Sequence, residues 1–294
     1  MLVINLIRGF CMALADSVPG VSGGTIAFLL GFYDQFIQSL DDLIRGGREK
    51  KINAVRFLIK IMIGWVIGFC AAVLVLTRVF ESHIYAISSL FIGFIIFAIP
   101  YVAMEEKETI KRAKIWHLIF VIIGIAIVSA ITYFNPVSGN GVSVDVDHLS
   151  FGLGIYVVFA AMIAISAMIL PGISGSTLLL IFGLYVPVLG AVKEVLHLNF
   201  KYVPVLMIFG LGILTGIVLI IRLIRIALEK FRPQMIYLII GLMIGSLYAI
   251  VMGPTTLDEP KAPMGIGTFS ILFFIIGGAV IIGLQMLKKV MDKK

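Results

Sequence analysis

Apolar stretches of about 20 residues follow one another along nearly the whole of this chain. The chain is 61% hydrophobic and 13% charged, whereas a soluble domain carries about 25% charged residues. In lipid every backbone amide and carbonyl must find a partner within the protein, so stretches of this kind fold as helices. The sequence therefore predicts an all-α polytopic membrane protein.

Ten apolar stretches can be distinguished, and two pairs of them are interrupted by a P-G-x-S-G turn. The stretches lie at 2–14, 25–40, 54–79, 84–103, 115–134, 151–170, 176–192, 202–222, 233–252 and 267–287. The members of the first pair, and of the sixth and seventh, are expected to be shorter than a full span. Each pair can form a re-entrant hairpin or one long broken crossing, and we favour the hairpin.

The interrupted segments repeat each other. PGVSGGT at 19–25 returns as PGISGST at 171–177, and eight of 22 positions are identical when 12–33 is aligned with 164–185. Three glycine pairs follow at a second constant offset, namely Gly64 and Gly212, Gly68 and Gly216, and Gly93 and Gly241. Such glycines allow helices to pack closely.

The repeat predicts the organisation of the chain. Each half consists of a broken or re-entrant helical hairpin followed by three transmembrane helices. Three is an odd number of crossings, so the two repeats are expected to be inverted. The first repeat covers 1–134 with its hairpin at 2–40, an extracytoplasmic linker covers 135–150, and the second repeat covers 151–294 with its hairpin at 151–196.

Basic residues predict the orientation. Most of the 23 Lys and Arg residues lie in clusters at 45–60, 105–114, 222–232 and 288–294. Because an excess of Lys and Arg marks the cytoplasmic side, both termini are expected to be cytoplasmic in the plasma membrane of a prokaryote. The net charge of +7 reflects these loops and does not indicate a nucleic-acid partner.

The two broken motifs have the chemistry of an anion site. A helix that restarts after Pro-Gly presents free amides, and its dipole favours a negative charge. Hydroxyls add donors, and glycines let a ligand approach the backbone. The predicted breaks are Pro19 and Pro171, and the predicted binding residues are Gly20, Ser22, Gly23, Gly24, Thr25, Gly172, Ser174, Gly175, Ser176 and Thr177. The alternative is a structural kink whose Ser and Thr residues cap their own helices.

Asp16 is a carboxylate in an apolar setting, two residues before the first Val-Pro. A charge at bilayer depth costs at least about 2.5–3.5 kcal/mol, so we expect Asp16 to bind a coupling proton or sodium ion, or to pair with Arg8. Solvation of both residues at the cytoplasmic interface is the alternative. Asp41 and Asp42 are expected in a loop, and Arg225 is expected to reach lipid headgroups from a span end.

Other functional classes fit less well. The four histidines lie in loops or at span ends, and Cys11 and Cys70 have unrelated spacing, so neither a metal site nor a cofactor is expected. The G-x-S-G sequences resemble those of intramembrane serine hydrolases, but that chemistry needs a histidine base nearby. A transporter or channel for a small soluble anion uses the same helix starts and remains an alternative.

The segment ALADSVPGVSGGT at 13–25, followed by GFY at 31–33, closely resembles a bacterial and archaeal membrane family of polyprenyl-phosphate transporters. LPGISGST at 170–177 resembles the same family, and the resemblance extends over essentially the whole chain. It implies a non-enzymatic flippase that returns undecaprenyl phosphate from the outer to the inner leaflet for cell-wall synthesis. Alternating access, in which the two repeats rock around the paired motifs, is the expected mechanism.

Overall fold

The computed structural model describes residues 2–16, 22–71, 77–134, 150–256 and 260–291. Within these residues the secondary structure is helical. The helices are α1 Leu2–Asp16, α2 Gly23–Leu29, α3 Tyr33–Arg45, α4 Arg48–Ala71, α5 Thr77–Glu105, α6 Lys107–Arg112, α7 Leu118–Tyr133, α8 Phe151–Ile169, α9 Gly175–Ile181, α10 Tyr185–Leu196, α11 Val203–Lys230, α12 Arg232–Met252 and α13 Ile271–Met291.

Six helical segments of the described chain are long and apolar enough to cross a membrane. They are Arg48–Ala71, His83–Glu105, Ile115–Tyr133, Phe151–Ile169, Phe200–Lys230 and Arg232–Thr255. This confirms the prediction of an all-helical, multi-pass membrane protein. One expectation was wrong: the sequence predicts a short hairpin arm at 151–170, whereas α8 has 19 residues and is itself long enough to cross.

The second arm of each predicted hairpin is two helices instead of one. Gly31 separates α2 from α3, and Gly183 separates α9 from α10, with φ of 66° and 64°. In the first turn the amide of Phe32 donates a hydrogen bond to the carbonyl of Ala27 at 3.0 Å. In the second, the amide of Leu184 donates to the carbonyl of Leu179 at 2.9 Å. Only glycine adopts this left-handed conformation without strain. The seven-residue helices α2 and α9 rise only about 10 Å, so neither can cross a bilayer alone.

Helix packing follows the repeat. α1 packs against α4 as α8 packs against α11, and α13 packs against α5 as α7 packs against α12. α1 and α4 of the first half are equivalent to α8 and α11 of the second half, and α5 and α7 are equivalent to α12 and α13. Each of these contacts therefore has an equivalent contact between the matching helices. The division of the chain into two repeats and the inverted relation of the repeats stay predictions.

The repeated glycines are the points where these helices touch. Gly64 and Gly68 of α4 face α1, as Gly212 and Gly216 of α11 face α8. A Cβ atom on Gly212 would lie 2.6 Å from the carbonyl oxygen of Val158, closer than real Cβ atoms approach. The glycines therefore serve helix packing, as their spacing predicts.

We expect Gly212→Ala to destabilise the α8–α11 pair by about 1–3 kcal/mol, since the added methyl forces two backbones apart. Gly154→Ala is the control, because its Cβ would meet only the Cδ1 of Ile208, at 3.7 Å. Thermal unfolding in detergent should show a lower midpoint for Gly212→Ala than for Gly154→Ala. Equal midpoints would mean that the close approach is not needed.

Candidate functional site

The second broken motif is a tight turn between α8 and α9. α8 ends at Ile169, and Pro171 cannot continue it because proline lacks an amide hydrogen. Gly172 has φ of +88°, and a Cβ there would lie 2.6 Å from the backbone of Leu242 in α12. Conformation and space both require glycine. The turn brings Ser174, which is buried, to the start of α9.

The first motif is described from Ser22 onward, and Pro19 and Gly20 lie outside the described residues. Ser22 is the N-cap of α2, with extended backbone and a hydroxyl that accepts a hydrogen bond from the amide of Thr25 at 3.3 Å. This is helix capping, the predicted alternative to anion binding at this motif. Both side chains are almost fully buried.

The two motifs are in direct contact. The amide of Gly172 donates to the hydroxyl of Thr25 at 2.7 Å, and the hydroxyl of Ser22 donates to the carbonyl of Leu170 at 3.3 Å. A Cβ on Gly24 would lie 2.6 Å from the carbonyl oxygen of Ile169. The repeat predicts that the motifs converge, and these contacts join them. Several predicted anion donors are therefore bound to the opposite motif in this structure.

Asp16, the last residue of α1, lies against the start of α2. Its carboxylate accepts hydrogen bonds from the amide of Gly23 at 2.6 Å and from the indole nitrogen of Trp65 on α4 at 3.0 Å. An anion at this amide is what the sequence predicts, but here the anion belongs to the protein. Met168 occupies the equivalent position in the second half, so the junction has no second carboxylate at that position.

Trp65 is a site residue that sequence reasoning missed. It follows Gly64, which faces α1, and its ring stacks on Phe69 with centroids 5.1 Å apart. The sequence does place this tryptophan next to a glycine at a predicted helix contact. Because a buried indole N–H requires an acceptor, that position could have indicated a polar partner on the neighbouring helix.

Arg8, the other predicted partner of Asp16, lies on the same helix. Its guanidinium donates to the side chain of Asn5 at 3.0 Å and lies 4.7 Å from the centre of the Phe32 ring. The role of Arg8 as a charge partner for Asp16 stays a prediction.

Asp16 lines two cavities. The smaller, of about 240 Å³, lies among α8, α9 and α11 and is lined by Asp16, Ser174 and Gly175 together with apolar side chains. The larger, of about 500 Å³, lies among α1, α3, α4, α8 and α11 and reaches Asp16, Gly23 and Gly24. Ile165 and Met168 line both. The polar junction thus borders a larger, mostly apolar space.

The remaining predicted binding residues lie on α9. Gly175 packs against α8, where a Cβ would lie 2.8 Å from the carbonyl oxygen of Ala164. Thr177 is half-buried and lies outside the described lining of the two cavities. Ser176 belongs to α9, but its side chain lies outside the described residues.

An ion-pair cluster joins the two halves near the end of α3. Asp41 pairs with Arg45 on its own helix and with Arg225 on α11, and Arg225 also lies 3.5 Å from Asp42. The expectation of a loop at Asp41 and Asp42 was wrong, since both lie on α3. Arg225 pairs with these carboxylates, whereas the sequence predicts that it reaches lipid headgroups. The i, i+4 spacing of Asp41 and Arg45 could have indicated a helix and an ion pair within it, but not the partner on α11.

A second cluster lies beside the first. Arg232, at the start of α12, pairs with Asp34 on α3 at 2.8 Å and with Glu106 at 2.5 Å. Glu106 follows α5, so both partners of Arg232 belong to the first half. α3 is therefore tied by charge to both α11 and α12.

The pKa of the Asp41 carboxyl favours its charged form. Burial raises the pKa of the Asp41 carboxyl, but hydrogen bonds from Arg45 and Arg225 outweigh burial and leave the pKa below its ordinary value. A carboxyl with a lowered pKa stabilises the fold above its ordinary pKa and loses that contribution as pH falls through the folded value. The tie between α3 and α11 is therefore intact at neutral pH.

A multi-pass helical protein in which two broken helices meet at a buried polar junction has the architecture of a secondary transporter. Comparison with known proteins agrees with this class. The chain belongs to the VCA0040-like family, described as undecaprenyl phosphate translocase-like, whose model matches residues 12–268.

Two relatives are similar over most of their length. A polyprenyl-phosphate transporter of Staphylococcus aureus (strain NCTC 8325 / PS 47) is 37% identical over 254 residues, covering 86% of this chain and 87% of the relative. A polyprenyl-phosphate transporter of Vibrio cholerae serotype O1 is 32% identical over 252 residues, covering 82% and 75%. No solved structure matches the chain. Family and relatives are named as transporters or translocases and not as enzymes.

Proposed function

We propose that this protein transports polyprenyl phosphate, with undecaprenyl phosphate as its substrate, from the outer to the inner leaflet. The observation that carries the proposal is the contact between the polar junction at Asp16 and the apolar cavity beside it. A phosphomonoester headgroup has about −1.5 to −2 charges at neutral pH and needs polar partners, whereas its tail needs an apolar environment. The family and both named relatives support the same substrate.

The headgroup is proposed to bind at the junction between the two motifs. Ser174 and the amides at the start of α9 supply donors there, and the amide of Gly23 becomes available when the Asp16 carboxylate releases it. Because Ser22, Thr25 and Gly172 bond to one another across the motifs, binding at those groups requires the two halves to separate locally. A rocking motion of the repeats around this junction provides that separation and exposes the site to each leaflet in turn.

A cation is proposed to travel with the headgroup. Inward movement of a negative charge opposes the inside-negative membrane potential by about 2.3 kcal/mol per charge per 100 mV. Asp16 is the acidic group at the junction and is our candidate for binding a proton or sodium ion. Delivery to the inner leaflet returns the carrier lipid for reloading in cell-wall synthesis. Because reloading consumes the delivered lipid, it also favours net inward transport.

The ion-pair clusters support an alternating-access cycle. By the basic-residue rule, the ends of α3, α11 and α12 that carry Asp41, Arg225 and Arg232 lie on the cytoplasmic side, as do both termini. The clusters then tie the two halves together at that side. Opening toward the cytoplasm requires these pairs to separate.

The rival functions have less support. A small soluble anion needs only a water path, and an apolar cavity beside the junction does not serve it. A serine hydrolase needs a histidine base within hydrogen-bond reach, and the described lining of the two cavities contains none.

The proposal is tested in proteoliposomes with a fluorescent polyprenyl phosphate and an imposed proton or sodium gradient. Wild-type protein is expected to accelerate translocation, and Ser174→Val to slow it at least about tenfold, because the headgroup loses one polar partner at its binding site. Ser166→Val is the matched control, since that hydroxyl donates to the carbonyl of Met162 on its own helix, at 2.6 Å. Wild-type vesicles that translocate no faster than empty ones would overturn the proposal.

A further inference from the structure

We propose that the larger cavity is the binding groove for the first isoprene units of the lipid tail, and that α4 forms its entrance from the bilayer. This inference rests on the proposed function and adds to it the place where the tail is held. It also assigns a substrate contact to α4, a helix outside both broken motifs.

The described lining of the groove combines one charged side chain with an apolar surface. Asp16 accepts a hydrogen bond from the amide of Gly23 where α2 begins, and apart from Gly24 the rest of the lining is apolar or aromatic side chains of five helices. A ligand that fits this lining has one charged end and a hydrocarbon body. A soluble anion or a sugar would leave the apolar part unfilled.

The groove is open toward lipid on the α4 side. Ile59 and Met62 line it, yet they are 52% and 60% exposed, as are Leu43 and Val55 to smaller extents. α4 is one of the six segments that can cross a membrane. Ile59 and Met62 flank Lys60 of the cytoplasmic basic cluster, so the opening lies where the headgroup region meets hydrocarbon. A tail can therefore leave the groove sideways toward lipid, whereas an enclosed cavity would not allow a long lipid to enter.

The size of the groove indicates which part of the lipid it holds. Its volume of about 500 Å³ is within the range of about 300–1,000 Å³ that is typical of small-molecule sites. That space suits the isoprene units next to the phosphate and is far too small for a whole polyprenyl chain. The remainder of the tail stays in the bilayer, so the groove selects for the head-proximal units rather than for total length.

Ile59→Trp tests the groove. The indole narrows the entrance, and translocation of fluorescent polyprenyl phosphate is expected to fall about tenfold. Competition by geranyl phosphate, which has only two isoprene units, should weaken by a similar factor. Ile67→Trp is the matched control, because Ile67 is 54% exposed on the same helix and is not among the groove residues; we expect it to transport within about twofold of wild type.

The outcomes separate this inference from the proposed function. If wild type translocates the lipid and Ile59→Trp transports as well as Ile67→Trp, the groove assignment is wrong and the transport function stands. If wild type does not translocate, the function itself fails. Should Ile59→Trp not assemble, Met62→Trp carries the same comparison. Cross-linking with a prenyl phosphate that has a diazirine on its first isoprene unit should label α4 in the wild type, and labelling confined to other helices would also overturn the inference.

Discussion

Asp16→Asn is expected to reduce cation-coupled lipid translocation at least about tenfold, equivalent to about 1.4 kcal/mol or more. The change removes the acidic group that lines both cavities and preserves its size. An amide oxygen can still accept from Gly23 or Trp65, so the fold should persist. The measurement is translocation in proteoliposomes with and without a proton or sodium gradient, beside thermal unfolding in detergent.

Two further variants show whether charge or hydrogen bonding matters at this position. Asp16→Glu retains the charge and should recover part of the coupling. Trp65→Phe removes one donor to the carboxylate and keeps the charge, so we expect a smaller loss than in Asp16→Asn. If Asp16→Asn responds to the imposed gradients as wild type does, Asp16 is not the coupling group.

Gly24→Ala is expected to have the second large effect, because it pushes the two motifs apart. A Cβ at Gly24 would lie 2.6 Å from the carbonyl oxygen of Ile169, and backbone at this distance cannot yield as a flexible side chain does. We expect a loss of about 1–3 kcal/mol in stability and a fall in translocation of at least about tenfold. Unfolding in detergent and translocation in vesicles measure the two effects.

Gly210→Ala is the control for this substitution. Gly210 lies within α11 and a Cβ there would meet nothing within 4 Å, so alanine should keep or raise stability by up to about 1 kcal/mol through its better helix propensity. Gly24→Ala protein that unfolds and transports like Gly210→Ala would show that the contact between the motifs is dispensable.

Much of the architecture could be predicted from local patterns. Apolar length predicts the spans, and the constant offset between Gly64 and Gly212 anticipates equivalent helix contacts. The position of Asp16 near a broken helix indicates a special role because a charge in an apolar stretch is costly.

Other features depend on contacts between distant segments. Trp65 reaches Asp16 across 49 residues, and Asp41 meets Arg225 across 184. No single-segment pattern reports which side chains meet after folding. The sequence did not predict the split between α2 and α3 for another reason. The apolar stretch continues across Gly31, whereas the helical backbone is interrupted there.

The replacement of Asp16 by Met168 in the second half has a consequence for transport stoichiometry. One carboxylate binds at most one monovalent cation at a time, whereas the lipid headgroup has about −1.5 to −2 charges. If the junction carries both together, the cargo retains net negative charge, and each turnover moves that charge toward the cytoplasm. Transport by such a protein is electrogenic, and its rate follows membrane voltage as well as the cation gradient.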